Sequence, residues 1–369
     1  VPELDSITIK GFKSIALIDV DLRPINVVIG PNGSGKSNFI GAFSFLHALR
    51  EGRLQEHVVR SGGADALLYF GSKVTEQMAF HLSFQSGVNQ YTVVLTPGGA
   101  DQLFPTSETA GFWNKAKYPD RGPYETILYP SGGEAGISAG DSGRVAQYVR
   151  AHLNSWRAYH FHDTSAASPM KRTQDVEDNR FLRPDGSNLA AFLYFLRLKH
   201  ESSYHLIRRS IQRVAPFFDD FALEPQSLNQ EKIRLEWRHR HSDAYFGAAS
   251  LSDGTLRFIA LATLFFQPET YRPSVILVDE PELGLHPSAI TMLAALIKQA
   301  SLTTQVIVST QSPLLLDNFQ PEDVLVADLI DDATQLRRLE SGKLEHWLKD
   351  YSLGQLWEKN EFGGRPGAV

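Results

Sequence analysis

Three short stretches of this sequence carry residue types suited to chemistry on phosphates. Gly30-Pro31-Asn32-Gly33-Ser34-Gly35-Lys36-Ser37 fits the spacing G-x-x-x-x-G-K-[ST] at every fixed position. In such a loop Gly33 and Gly35 let consecutive backbone N–H groups turn inward on a phosphate. The N-terminus of the helix that should follow adds partial positive charge. Lys36 would reach the β- and γ-phosphates of a nucleotide, and Ser37 would offer its hydroxyl to Mg²⁺. The second stretch, Val275-Ile276-Leu277-Val278-Asp279-Glu280, is an apolar run ending in two carboxylates. Asp279 at the end of a buried strand can hold Mg²⁺. Glu280 can polarise a water for attack on the γ-phosphate. The third, Leu251-Ser252-Asp253-Gly254-Thr255, reads by itself as a helix start capped by Ser252 or Asp253. Its place between the phosphate loop and the acidic strand gives it further weight.

These residues need elements to position them. Ile7 and Ile9 alternate with polar residues as in a strand, Leu17 to Leu22 reads as a second strand, and Ile25 to Ile29 as a short buried third. The last runs into the phosphate loop, and a helix should follow with Phe39, Ala42, Phe43 and Leu46 on one face. Ala79 to Phe84 and Gln90 to Leu95 read as a hairpin. Thr96 to Gly143, rich in Gly, Pro, Ser and Asp, reads as a loop. Ser187 to Val214 is helical with a break near His200, and Lys232 to Trp237 is a strand. After that, helix and strand alternate: a helix from Asp253, strand Val275 to Val278, helix Pro287 to Ala300, strand Gln305 to Val308, a helix from Pro313, strand Val324 to Ala327. Such alternation predicts a mainly parallel α/β sheet.

Composition narrows the class. The chain has 369 residues, 42% hydrophobic and 21% charged, as in a globular protein with an ordinary core. Lys+Arg 36 against Asp+Glu 42 gives a net charge of −6, which excludes a generally basic nucleic-acid coat protein. Cysteine is absent, so thiolate chemistry and disulfides are excluded. The longest apolar stretch, Phe258 to Phe266, falls well short of the ~20 residues of a spanning helix. No cationic lead precedes an apolar core near Val1 to Lys10, and a cytoplasmic protein is the expectation.

The ordered set of motifs resembles the ATP-binding-cassette (ABC) ATPases, whose signature reads Leu-Ser-Gly-Gly-Gln. It is most similar to the non-transporter RecF-like, SMC-like and OLD-like branch, and within it to bacterial AAA-type ATPases that have no coiled coil. Ile7 to Ile15, Gly30 to Asn38, Leu251 to Arg257, Asp279 to Pro287 and Ser309-Thr310-Gln311-Ser312-Pro313 carry the resemblance. Tyr351 to Trp357 resembles the tail of predicted ATPases in the same group. The resemblance implies an ABC-ATPase head, with a mainly parallel P-loop sheet and an N-terminal antiparallel β subdomain. A short helical insertion would replace the coiled coil. It divides the chain into an N-terminal lobe at 1–165, an insertion lobe at 166–245 and a C-terminal lobe at 246–369.

The resemblance also implies a mechanism. Two heads would form a head-to-tail homodimer around two ATP molecules with Mg²⁺. Asn32, Gly33, Ser34, Gly35, Lys36, Ser37 and Asn38 would bind one nucleotide, and Ser37 and Asp279 the metal. Leu251, Ser252, Asp253 and Gly254 would meet the γ-phosphate held by the other subunit. Glu280 would be the base, and Leu283 to Pro287 the D-loop. Gln311 stands where the class usually has a switch histidine. An amide can hydrogen-bond a phosphate or a water but cannot carry positive charge. The glutamine that usually bridges metal and water has no clear counterpart: Gln85, Gln90, Gln147 and Gln174 are candidates, and Tyr159 to Thr164 is a candidate segment for that place.

Function follows as an expectation: ATP hydrolysis by a dimer that acts as a switch or clamp on DNA, RNA or a protein effector. The setting by analogy is genome maintenance or antiphage defence. Two alternatives are the energising subunit of a membrane transporter, which the long insertion and Glu280-Pro281-Glu282 disfavour, and a small-molecule kinase, which leaves Leu251 to Thr255 unexplained. Arg197, Lys199, Arg208, Arg209 and Arg213, with a second cluster from Lys232 to His241, are cations for a phosphate backbone or a solvated face. His160 and His162 with Asp163 suggest a metal but lack a further ligand nearby. No nuclease motif is visible, so a nuclease or other effector would be a partner, and no membrane is expected.

Overall fold

The computed structural model describes residues 4–140 and 143–364. The chain forms two compact units, Val1–Arg157 with Gln320–Val369, and Ala158–Phe319. This division differs from the three lobes expected from the sequence, because the last segment groups with the first unit.

In the first unit a six-stranded antiparallel sheet runs in the order Ile15–Asp21, Leu4–Phe12, Met78–Phe84, Asn89–Gly98, Gln102–Phe112, Tyr124–Ile127. Met78, Phe80, Leu82 and Phe84 are buried and alternate with half-exposed neighbours, the period of a sheet with one face on a core. The expected hairpin is present, with Phe84 opposite Asn89. The phosphate-loop helix, Lys36–Arg50, buries Phe39, Ala42, Phe43 and Leu46 as expected, and Phe45 and Leu49 as well. Three aromatic neighbours explain the wider apolar surface. Phe45 packs with Phe12 and Phe80 of the sheet, at ring distances of 5.7 and 5.5 Å, while Phe43 lies 5.2 Å from Trp156.

The loop expected over Thr96 to Gly143 is corrected. Gln102–Phe112 is a full strand paired with Asn89–Gly98. Pro105 had disguised it. It sits where the register shifts between Val94 and Leu95, a bulge at which a missing N–H costs the ladder little. Glu108 of this strand is buried and accepts hydrogen bonds from the Tyr91 hydroxyl at 2.8 Å and from the Gly136 and Ile137 amides at 2.6 and 2.8 Å. That ties the glycine-rich stretch to the sheet. Burial pushes the Glu108 carboxyl up.

The strand Ile25–Ile29, wholly buried, pairs in parallel with Val324–Ile330, which pairs antiparallel with Ala333–Arg338. Here the C-terminal segment completes the unit that holds the phosphate loop.

In the second unit Val275–Asp279 and Gln305–Thr310 pair in parallel, with Asp279 opposite Ser309. The helices Asp253–Phe266 and Pro287–Ala300 pack on one another. Leu189–Lys199 and Glu201–Val214 break at His200 as expected, and the second of them packs on Asp253–Phe266. The expected strand Lys232 to Trp237 divides, because Lys232–Ile233 pairs with Gln174–Asp175 while Glu236–His239 pairs with Phe218–Phe221. The whole is an α/β fold with mixed sheets and no coiled coil among the described residues. No helix among them is long and apolar enough to cross a membrane.

Candidate active site

Residues 30–38 lie in the first unit. The buried strand delivers the chain to Gly30, and the helix begins at Lys36 with no side-chain cap. Gly35 precedes it at φ 94, and a Cβ there would stand 1.9 Å from Thr334 Oγ1. Only glycine satisfies both the left-handed backbone and this approach. Behind the loop, Asn38 Nδ2 donates to Ser14 Oγ at 2.7 Å, and Ser14 Oγ shares a 2.7 Å hydrogen bond with Thr334 Oγ1. Lys36 is 6% exposed, and its Nζ donates to the carbonyls of Gly30 and Pro31, both at 2.8 Å. The ammonium is thus held inside the turn of the loop. Asn32, Gly33 and Ser37 are exposed, and the buried Ser34 Oγ has no hydrogen-bond partner.

Residues 251–254, 279, 280 and 311 lie in the second unit. Ser252 caps the helix Asp253–Phe266, its Oγ accepting from Thr255 N at 3.2 Å, while Leu251 is buried beneath it. Asp253 is exposed and lies 3.8 Å from Lys171 Nζ, which also donates to the Thr164 carbonyl at 2.6 Å. Gly254 allows the closest approach, since a Cβ there would meet the Gly284 carbonyl at 2.2 Å. The signature turn and the D-loop-like segment are packed backbone to backbone, and Leu283 in that segment is half exposed.

The strand Val275–Asp279 ends at the acidic pair. Ser309 Oγ donates to Asp279 Oδ1. Glu280 has φ 42, and its amide donates to the Ser309 carbonyl at 3.0 Å. A left-handed backbone on a non-glycine residue costs about 1–2 kcal/mol. Gln311 Nε2 donates to Glu280 Oε1. Gln311 therefore grips a carboxylate at the end of the neighbouring strand, not merely the local backbone.

Sequence reasoning missed two residues here. Glu282 is buried; its Oε1 accepts from Thr310 Oγ1 at 2.5 Å and from the Gln311 amide at 3.4 Å, and burial pushes its carboxyl up. It fixes the turn that carries Gln311. Arg257, buried on the signature helix, donates to the Phe161 and His162 carbonyls at 3.0 and 3.1 Å. A charge five residues into an apolar helix was the available signal. The glutamine candidates are occupied elsewhere. Gln85 and Gln90 serve the hairpin turn, Gln174 accepts from the amides of Ala190 and Ala191, and Gln147 is exposed on the helix Gly143–Ser155. Of the candidate segment Tyr159 to Thr164, Phe161 and His162 line a cleft with Asp279 and Glu280.

Comparison with known proteins adds a family. The profile of AAA_21, "AAA domain, putative AbiEii toxin, Type IV TA system", matches residues 25–317. The chromosome partition protein Smc of Desulfitobacterium hafniense (strain Y51) is 29% identical over 161 residues, 40% of this chain. The chain spans 12% of that relative's length. Among solved structures, an SMC head bound to the C-winged helix domain of ScpA superposes with a TM-score of 0.61 at 17% identity, covering 94% of this chain and 100% of that one. An SMC head with an extended coiled coil, bound to the C-terminal domain of ScpA and derived from Pyrococcus furiosus, gives 0.57 at 14% identity over 95% and 99%. At such identities the likeness is one of fold.

Proposed function

The chain belongs to this AAA domain family, within the RecF/SMC-like branch of ABC-type ATPases, and from that membership we propose that it hydrolyses ATP to ADP and phosphate as a nucleotide-sandwiched homodimer. The dimer would act as a switch or clamp on nucleic acid or an effector protein, in genome maintenance or antiphage defence. The observation that carries the reading is the intact phosphate loop, with an uncapped helix start and a buried lysine turned on the loop's own carbonyls. Backbone amides from Asn32 to Asn38 and the Lys36 ammonium bind the phosphates. Ser37 and Asp279 offer hard oxygen ligands of the kind Mg²⁺ takes. When bound, the metal supplies charge neutralisation on the phosphate oxygens. Glu280 takes the proton of the attacking water, and Gln311 holds its carboxylate in one orientation. Leu251 to Gly254 are left for the γ-phosphate of the partner subunit, which a helix N-terminus at Ser252 suits.

Nucleic acid as the ligand has narrower support than the sequence implied. Arg208 pairs with Asp220, Lys232 with Asp175 and Arg238 with Asp219, while Arg197 donates to the Leu223 carbonyl. These cations are partly neutralised within their own unit, which favours a protein effector over a phosphate backbone at this face.

Sedimentation of the Glu280→Gln protein with and without Mg-ATP tests the assembly. A dimer should appear only with nucleotide, and Ser252→Arg should abolish it by placing bulk and charge at the helix start. A protein that stays monomeric at saturating ATP would sink the sandwich.

Gln311→Ala should slow phosphate release about ten- to a hundredfold with ATP affinity nearly unchanged, because a hydrogen bond to a charged group is worth about 1.5–3 kcal/mol. Gln311→His should be tolerated, since imidazole can donate to the same carboxylate. Paired turnover and melting measurements decide the role. An unchanged rate with a lowered Tm would make Gln311 a structural residue only.

A further inference from the structure

Tyr351 to Trp357 has no role in the chemistry of the phosphate loop, the acidic pair or the signature turn. Its segment nonetheless reaches the phosphate loop. Ser352 starts the short helix Leu353–Glu358 in a capping box with Gln355. Its Oγ accepts from the Gln355 amide at 3.3 Å, and Gln355 Oε1 accepts from the Ser352 amide at 3.0 Å. The helix buries Leu353, Leu356 and Trp357. Asn360, at φ 61, ends it. The Asn360 amide donates to the Trp357 carbonyl at 2.9 Å, and the Glu361 amide to the Leu356 carbonyl at 3.0 Å. This is a Schellman turn. It brings Gly364 back to Trp357, whose Nε1 donates to the Gly364 carbonyl at 2.8 Å.

Gly364 is buried and sits at φ 77. A Cβ there would lie 2.8 Å from Val326 Cγ1 and 3.7 Å from the Cα of Gly30, the first residue of the phosphate loop. The Gly364 amide donates to Asp328 Oδ1 at 2.8 Å, and Arg337 Nη2 donates to the nearby Phe362 carbonyl at 2.6 Å. Asp328 and Arg337 belong to the hairpin of Val324–Ile330 with Ala333–Arg338. The same hairpin meets the loop directly. Val326 pairs with Ile29, a Cβ at Gly30 would press on the Ala327 carbonyl, and Thr334 Oγ1 is packed against Gly35. Gly30 is thus buried between hairpin and tail, and its carbonyl is one of the two that hold the Lys36 ammonium.

We propose that the tail is a clasp that positions the phosphate loop for ATP, with Asp328, Trp357 and Gly364 as its positioning residues. They act through Gly30, and through it on Lys36. The assignment rests on the reading that this loop binds ATP. A loop that is competent only while the clasp is closed has its affinity reduced by the fraction closed. Weakening the clasp therefore raises the Kd for ATP and leaves the turnover of the bound state alone. The coupling is reciprocal, so ATP must hold the tail closed by the same factor. A tail that merely covered apolar surface would show neither effect.

The test is ATP affinity, by titration of the full chain with a fluorescent ATP analogue, with turnover and Tm measured on the same preparations. Asp328→Ala removes the acceptor of the Gly364 amide. It should raise the Kd about tenfold, the lower end for a hydrogen bond to a charged group, because Trp357 and Arg337 still hold the segment. Its kcat at saturating ATP should stay within about twofold of the wild type. Asp328→Asn keeps an oxygen acceptor and should restore most of the affinity. Gly364→Ala, strained at φ 77 and pressed on Val326, should match Asp328→Ala. Trp357→Phe, which keeps an aromatic ring and loses the donor, should raise the Kd severalfold. Hydrogen–deuterium exchange gives the reciprocal readout. In a Ser252→Arg background, chosen to keep the protein monomeric, saturating ATP should slow exchange over residues 353–364. Wild-type affinity in Asp328→Ala, Gly364→Ala and Trp357→Phe overturns the proposal, and so does tail exchange that ATP leaves unchanged. A lowered Tm with kcat falling as far as affinity, and no recovery in Asp328→Asn, marks a purely structural tail and overturns it too. A wild-type chain that binds no ATP overturns the ATPase reading and this proposal with it.

Discussion

Glu280→Gln is expected to bind ATP as tightly as the wild type and to release phosphate at least a hundredfold more slowly. The magnitude is that of a general base, about 10²–10⁴. The structure makes this substitution unusually clean. Gln311 Nε2 donates to Glu280 Oε1, and a glutamine at 280 keeps an oxygen acceptor in that position. The amide of residue 280 keeps its 3.0 Å bond to the Ser309 carbonyl. What disappears is the ability to take a proton. Glu280→Gly gives a second view of the same site. The residue sits at φ 42, where glycine meets no steric penalty, so this variant should lose hydrolysis with little or no loss of Tm. A site that surrenders activity without surrendering stability is one whose backbone is held for function. Phosphate-release assays and melting curves on the three proteins check both statements. Normal turnover in Glu280→Gln would remove Glu280 from its role.

What the sequence disclosed and what it hid follow one physical rule. The phosphate loop, the strand to Asp279 and the cap at Ser252 depend on neighbours within a few residues, so type and spacing reveal them. Gly35 is required by its own φ as much as by Thr334. The buried runs Ile25–Ile29 and Val275–Asp279 announce parallel strands because both faces are covered. The hidden features depend on partners far along the chain. Arg257 looks like an interruption in an apolar helix until Phe161 and His162 are beside it. Ser14, Asn38 and Thr334 form one hydrogen-bonded chain behind the loop, and no short window contains all three. The cations at 208, 232 and 238 read as a basic face because the aspartates that neutralise them come from other elements. Gln102–Phe112 was hidden for a different reason. Pro105 and the surrounding glycines argue locally for a loop, and the pairing with Asn89–Gly98 outweighs that local preference.

Lys36→Ala should weaken ATP binding at least a hundredfold, and the reason lies in both ends of the side chain's contacts. Lys36 is 6% exposed, and its ammonium donates to the Gly30 and Pro31 carbonyls. The lysine offsets the partial negative charge of these two oxygens and would supply positive charge to the β- and γ-phosphates. Alanine removes the attraction and leaves the carbonyl dipoles uncompensated. The loss therefore exceeds that of a single surface ion pair, worth at most about 1 kcal/mol. The fold should survive, because the loop is still braced by Asn38, Ser14 and Thr334. Thermal melting gives the readout. For the wild type, ATP at a hundred times its Kd should stabilise by about 2.7 kcal/mol. In Lys36→Ala, at the same ATP concentration, that stabilisation should fall to about 0.4 kcal/mol or less, while the Tm without ATP stays near the wild-type value. An undiminished ATP-induced shift would mean that backbone amides alone bind the nucleotide, and Lys36 would then serve only to close the loop on itself.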